Sequence, residues 1–195
     1  NPKTDTLISG KKALHLNQYP LPSVVAAIGL KVFGGTLEFW GRFQAILFNL
    51  LTMALLVFIV RKLFSDSIAW IALAVYALSP YTLIYGQAFM SESIAIFFLF
   101  LCFHLLLPTS NHKLSQWRLI ISALMFSITI TGRVHFFIFY PLCLLLIFFS
   151  SVEKKVFWAV TFTLVALLLP ILWYGYTYFA SMRVDNVHTN IFLQL

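Results

Sequence analysis

Charge is scarce in this chain. Only 10% of its 195 residues are Asp, Glu, Lys or Arg, and six in all are acidic. A water-soluble domain usually carries about 25% charged residues, so a free-standing soluble fold is excluded. Cysteine is nearly absent too. The two present, Cys102 and Cys143, both sit inside apolar runs, which excludes a disulfide scaffold and reads as two small buried hydrophobes. There is no glycine-rich phosphate loop, no HExxH, no CxxC and no GxSxG, so the common soluble-enzyme motifs are missing. The formal charge of +7 comes without any basic run dense enough to track phosphates, and nucleic acid is not expected as a partner.

What is present is apolar. The chain is 61% hydrophobic with 21 phenylalanines, and its mean hydropathy is +0.93. The expected fold is all-α, a polytopic membrane helix bundle. The opening "NPKTD" and closing "FLQL" read as cuts within a longer protein. Residues 1–22 are polar and proline-containing and read as a loop, and "SVVAAIGLKVFGG" (23–35) fits a helix lying in the interface.

Spans begin after that. "FQAILFNLLTMALLVFIV" (43–60) stops at Arg61-Lys62, and 67–86 carries a kink signal at Ser79-Pro80. Residues 93–107 form the next span. The run 118–149 is too long for one crossing at about 1.5 Å per residue, and Gly132-Arg133 divides it into two arms. Residues 156–179 close the set, giving about six transmembrane helices. The expected organisation is an extracytoplasmic segment (1–42), a bundle (43–179) and a further extracytoplasmic segment (180–195).

Orientation follows from the short loops. Arg61-Lys62, Lys113 with Arg118, and Lys154-Lys155 fall on alternate turns, and that side should be cytoplasmic. Glu38, Arg42, Gln87, Glu92, Arg133 and His135 then gather on the opposite face. A carboxylate, a guanidinium and an imidazole converging where apolar helices end have the composition of a reaction pocket. Each also has a plainer reading. Glu92 can serve the dipole of a helix capped by Ser91. Arg133 can snorkel, His135 can be an interfacial histidine, and His104 can hydrogen-bond a neighbouring helix. Glu38 and Arg42, four apart, read as a pair on one helix.

Four stretches carry a resemblance: "QYPLPSVVAAIGLKVFGG" (18–35), "EFWGRFQAILFNLLTMALLVFIVRKLF" (38–64), "IALAVYALSPYTLIYGQAFMSESIAIFFLFLCFHLLL" (71–107) and "TGRVHFFIFYPLCLLL" (131–146). In order and spacing they resemble membrane glycosyltransferases of the GT-C fold that use polyprenyl-phosphate sugars. The family in question groups protein O-mannosyltransferases (glycosyltransferase family 39) with bacterial lipid A aminoarabinose transferases.

The resemblance implies sugar transfer from a polyprenyl-phosphate donor to a protein, lipid or glycan acceptor. The protein would be integral to the bacterial inner (plasma) membrane, with its site facing outside. Arg133 is implied to meet the donor phosphate, and Glu92 to orient the acceptor or hold a divalent metal ion. Gln18 and Tyr19 match the substrate-side end of the external loop, and Gln87 and His135 join them in binding substrate. The family's presumed general base lies upstream of this stretch, and Asn17-Gln18 stand where a basic residue often precedes the loop's prolines. The competing class is a transporter or flippase, which predicts internal repeats and helices broken at mid-depth. No repeat between the halves is apparent.

Overall fold

The structure is a computed structural model that describes residues 5–8, 11–14, 20–86, 88, 90–107, 115–150 and 152–183. It is helical throughout apart from one small hairpin. The loop expected over 1–22 contains two short antiparallel strands, β1 (Asp5–Ile8) and β2 (Lys11–Leu14), with Asp5 opposite Leu14 and Ile8 opposite Lys11.

Helix α1 (Leu21–Phe33) starts two residues before the expected interfacial helix, because proline is tolerated in a first turn whose N–H groups have no partner anyway. It stops where Gly34 and Gly35 take φ of 75° and 91°, a left-handed backbone that suits glycine. Helix α2 (Leu37–Leu63) outruns the apolar stretch that announces it. Thr36 caps its start, accepting from the Phe39 N–H at 3.2 Å. Glu38 in the first turn and Arg61 and Lys62 in the last turn suit the helix dipole, so the charged flanks join the helix.

The Ser79-Pro80 signal produces a break rather than a kink. Ser79 is extended, as a residue before proline prefers, and separates α3 (Asp66–Leu78) from α4 (Pro80–Tyr85). Its hydroxyl then caps α4, accepting from the Thr82 N–H at 3.2 Å. Helix α5 (Glu92–Leu106) and helix α6 (Gln116–Gly132) follow. The chain breaks at Arg133 as expected, but the second arm opens with a 3-10 turn (Val134–Phe139) before α7 (Tyr140–Phe149). The steeper rise of that turn brings the arm to about 27 Å, close to the hydrocarbon thickness of a bilayer. Helix α8 (Lys155–Arg183) is the last element among the described residues.

Among the described residues, two helices are long and apolar enough to cross a membrane, Leu37–Leu63 and Lys155–Phe179. Only 22% and 11% of their most apolar stretches are buried inside the protein. The core helix of a soluble protein would be mostly buried, so these exposed apolar faces suit a membrane.

Helix α6 lies between α5 and α8, while α2 packs on α5 and carries α1 and α3. The core runs from Leu99, Cys102 and Leu106 of α5 through Phe126 of α6 to Cys143 of α7 and Phe162 of α8. Small and hydroxyl residues let α6 approach both neighbours. Thr129 Oγ1 donates across to the Ala95 carbonyl of α5 at 3.2 Å, and Ser127 Oγ accepts from the Leu169 N–H of α8 at 3.3 Å.

Candidate active site

The ends of these helices decide which polar groups can meet. Phe48 of α2 packs on Phe97 of α5, and Phe58 further along α2 packs on His104 further along α5, so the two helices run parallel. Helix α6 runs back against α5. The starts of α2 and α5 and the finish of α6 therefore share one end of the bundle, which brings Glu38, Arg42, Glu92, Arg133 and His135 to that end.

Within it, Arg133 Nη2 donates to Glu92 Oε1. The two side chains are 28% and 19% exposed, deep enough to escape full screening. The pair is held from below. Thr129, one turn before Arg133, bonds Ala95, one turn after Glu92. A Cβ on Gly132 would lie 3.6 Å from that of Ala95, so the helices are in contact at this level. Tyr174 of α8 donates from its hydroxyl to the Thr131 carbonyl at 3.4 Å.

The pair leaves capacity unused. Glu92 Oε2 and Arg133 Nε are buried without a hydrogen-bond partner among the described residues, as are Ser91 Oγ and Gln44 Oε1. Buried polar atoms are nearly always satisfied, which makes these four the unusual polar groups at this end of the bundle. The cleft beside them, lined by Leu21, Pro22, Ser91, Ala95 and Gly132, holds about 10 Å³, room for a single water.

Several expectations change. Ser91 occupies the N-cap position of α5 but makes no capping bond, because its backbone is already helical (φ −76°, ψ −12°). The Glu92 carboxylate is engaged by Arg133 rather than serving only the helix dipole. Arg133 turns to that carboxylate instead of snorkelling. Glu38 and Arg42, by contrast, form the expected pair on one helix, at 2.6 Å on the exposed surface of α2. His135 is exposed in the 3-10 turn, its ring 4.6 Å from that of Phe136. At His104 the neighbouring helix bonds the backbone carbonyl, which accepts from Arg118, while Nδ1 has no partner among the described residues. Gln18, Tyr19 and Gln87 lie outside the described residues.

Sequence reasoning passed over Gln44. It is 3% exposed inside the first apolar run and donates from Nε2 to the Pro22 carbonyl at 2.9 Å, fastening α1 to α2. An amide inside an apolar span, as at Gln44 and again at Asn49, was the available signal. Thr129 and Tyr174 gave none, since either residue is ordinary in a membrane helix.

No group of three or more His, Cys, Asp and Glu side chains that could hold a metal ion occurs among the described residues. One oxygen of Glu92 is taken by the Arg133 guanidinium, while the other has no partner among the described residues. No curated protein and no solved structure matches the chain. Residues 17–174 match the family model described as dolichyl-phosphate-mannose-protein mannosyltransferase, so the chain belongs to that family and is a membrane glycosyltransferase of the GT-C type.

Proposed function

We propose that the protein transfers a sugar from a polyprenyl-phosphate donor to an acceptor hydroxyl or amine, at the end of the bundle that carries Glu92 and Arg133. The observation that carries this reading is the pair itself, half-buried where apolar helices end, with one unused polar atom on each partner. A lipid-linked donor explains why such a site sits in a membrane: the tail stays in the bilayer and the phosphate reaches its surface.

The two residues would work in exchange. As the glycosidic bond breaks, negative charge collects on the leaving phosphate. A guanidinium can grip two of its oxygens at once. Once the phosphate draws Arg133, the Glu92 carboxylate is released to accept a hydrogen bond from the acceptor and orient its attack. His135, on the open side, would meet the donor near its lipid-phosphate junction, and Gln18, Tyr19 and Gln87 would complete the substrate contacts. In the same reading the bundle crosses the bacterial inner membrane six times over residues 43–179, with 1–42 and 180–195 outside the cytoplasm.

The test is sugar transfer from a polyprenyl-phosphate donor by the full protein carrying Glu92→Gln. The substitution keeps shape and removes charge. It should leave insertion and yield unchanged while lowering turnover by roughly a hundredfold, the scale of a lost charge-assisted contact in a transition state. Unchanged transfer would return Glu92 to a structural role.

A further inference from the structure

Asn49 stands half-buried inside the apolar stretch 43–60 of α2, where a polar side chain is costly unless it is used. Its amide is used twice. Oδ1 accepts from the Tyr76 hydroxyl of α3 at 3.2 Å. Nδ2 lies against Gly86, the residue that ends α4. A Cβ added to Gly86 would collide with that nitrogen and with the Thr82 carbonyl oxygen. Gly86 has an ordinary helical backbone (φ −64°, ψ −15°), so the close approach of α2, and not an unusual conformation, calls for glycine here.

Gly86 opens the link to the reactive end. Glu92, the first residue of α5, follows six residues later. The first turn of α5 is not secured by its own cap: Ser91 makes no capping bond, and its Oγ is buried without a partner among the described residues. An uncapped first turn leaves backbone N–H groups unpaired and frays, so contacts with other helices have to hold it. Adjacent residues of α2 make such contacts on both sides of Glu92. Phe48 packs on Phe97 of α5, ring centroids 5.2 Å apart, and on Phe98 at 6.2 Å. Upstream, Asn49 closes on Gly86.

We propose that Asn49 is a positioning residue for Glu92. By anchoring Gly86 it fixes the upstream end of the link and holds the carboxylate against Arg133. The weight of this contact in sugar transfer rests on the function proposed above, while the positioning itself does not.

The experiment makes position 92 the reporter. In the full protein, Glu92→Cys places a thiol beside Arg133, and the native Cys102 and Cys143 are fully buried. A neighbouring guanidinium favours the thiolate. Alkylation by iodoacetamide should therefore reach half its maximal rate about one pH unit lower than in Glu92→Cys/Arg133→Gln. Adding Asn49→Ala should raise that midpoint to the level of the Arg133→Gln protein. Leu50→Ala, on the exposed face of the same turn, should leave it in place. Tyr76→Phe, which frees the amide without opening a gap, should raise it by less, and it carries the test if Asn49→Ala fails to insert. In the otherwise native protein, Asn49→Ala should lower kcat for transfer from a polyprenyl-phosphate donor roughly tenfold with little change in KM, the mark of a misplaced reacting group. A midpoint unmoved by Asn49→Ala overturns the proposal, and so does one moved equally by Leu50→Ala. A midpoint that moves while the native protein transfers no sugar upholds the positioning and overturns the proposed function instead.

Discussion

Arg133 is fixed by the residues on either side of it in space rather than in sequence. Its backbone leaves the helix in an extended conformation, its N–H still bonds Thr129, and its guanidinium crosses to Glu92. Lysine at this position could keep an ion pair with Glu92, because a point charge needs only proximity. It could not present two parallel N–H groups to a phosphate. Arg133→Lys should therefore express and insert like wild type, yet lose at least roughly tenfold in kcat/KM for a polyprenyl-phosphate donor, a modest share of what one charge-stabilising donor contributes in other enzymes. Steady-state kinetics in a defined bilayer checks this. Full activity in Arg133→Lys would show that bidentate geometry is not used.

At the scale of the element, α6 positions the site. Its buried hydroxyls fasten one face to α5 and the other to α8, and the Thr129–Ala95 bond lies a single turn from the pair. Removing that hydroxyl costs little stability, since a hydrogen bond between membrane helices averages about 0.6 kcal/mol, but it frees the two helix ends to separate. Thr129→Val should lower kcat with little change in thermal stability, and Thr129→Ser, which keeps the oxygen, should restore it. Equal activity in both variants would remove Thr129 from the positioning network.

The elements themselves were largely legible in the sequence. Apolar runs between basic pairs marked the order of the helices, Gly132-Arg133 marked a break, and Ser79-Pro80 marked a kink that the extended backbone of Ser79 turns into a second break. Ser91 misled because the local capping rule ignores the helical backbone that the chain adopts before Glu92. The hairpin at 5–14 and the 3-10 turn at 134–139 carry no periodicity that a sequence reader could separate from loop or helix. Around the site, alternation of the crossings was enough to put Glu92 and Arg133 at one end. It was not enough to pair them, which depends on the close α5–α6 approach at Gly132 and Ala95.

For the whole molecule, the two ends differ in chemistry, and the proposed topology makes that difference measurable. Cys102 and Cys143 are fully buried, so an introduced cysteine should report against a silent background. Lys31→Cys, on exposed α1, should react with a membrane-impermeant maleimide added outside intact cells. Gln116→Cys, at the exposed start of α6, should react only after the membrane is opened. The reverse pattern would invert the bundle and place the Glu92–Arg133 pair in the cytoplasm.

The 3-10 turn after Arg133 bears on how substrate arrives. With three residues per turn, side chains at i and i+3 stand in columns. Phe136 and Phe139 form the column packed on the protein core, their rings 6.3 Å apart. His135 shares its column with Ile138, which is 77% exposed, and Val134 shares the next with exposed Phe137. Two of the three columns beside Arg133 are therefore exposed rather than packed on the core, and under the proposed function that flank would be a doorway onto the bilayer. A donor entering there diffuses in two dimensions and never leaves the membrane. Its effective concentration is then a surface density: the initial rate should follow the donor's mole fraction among the lipids and stay constant per vesicle when the suspension is diluted in buffer.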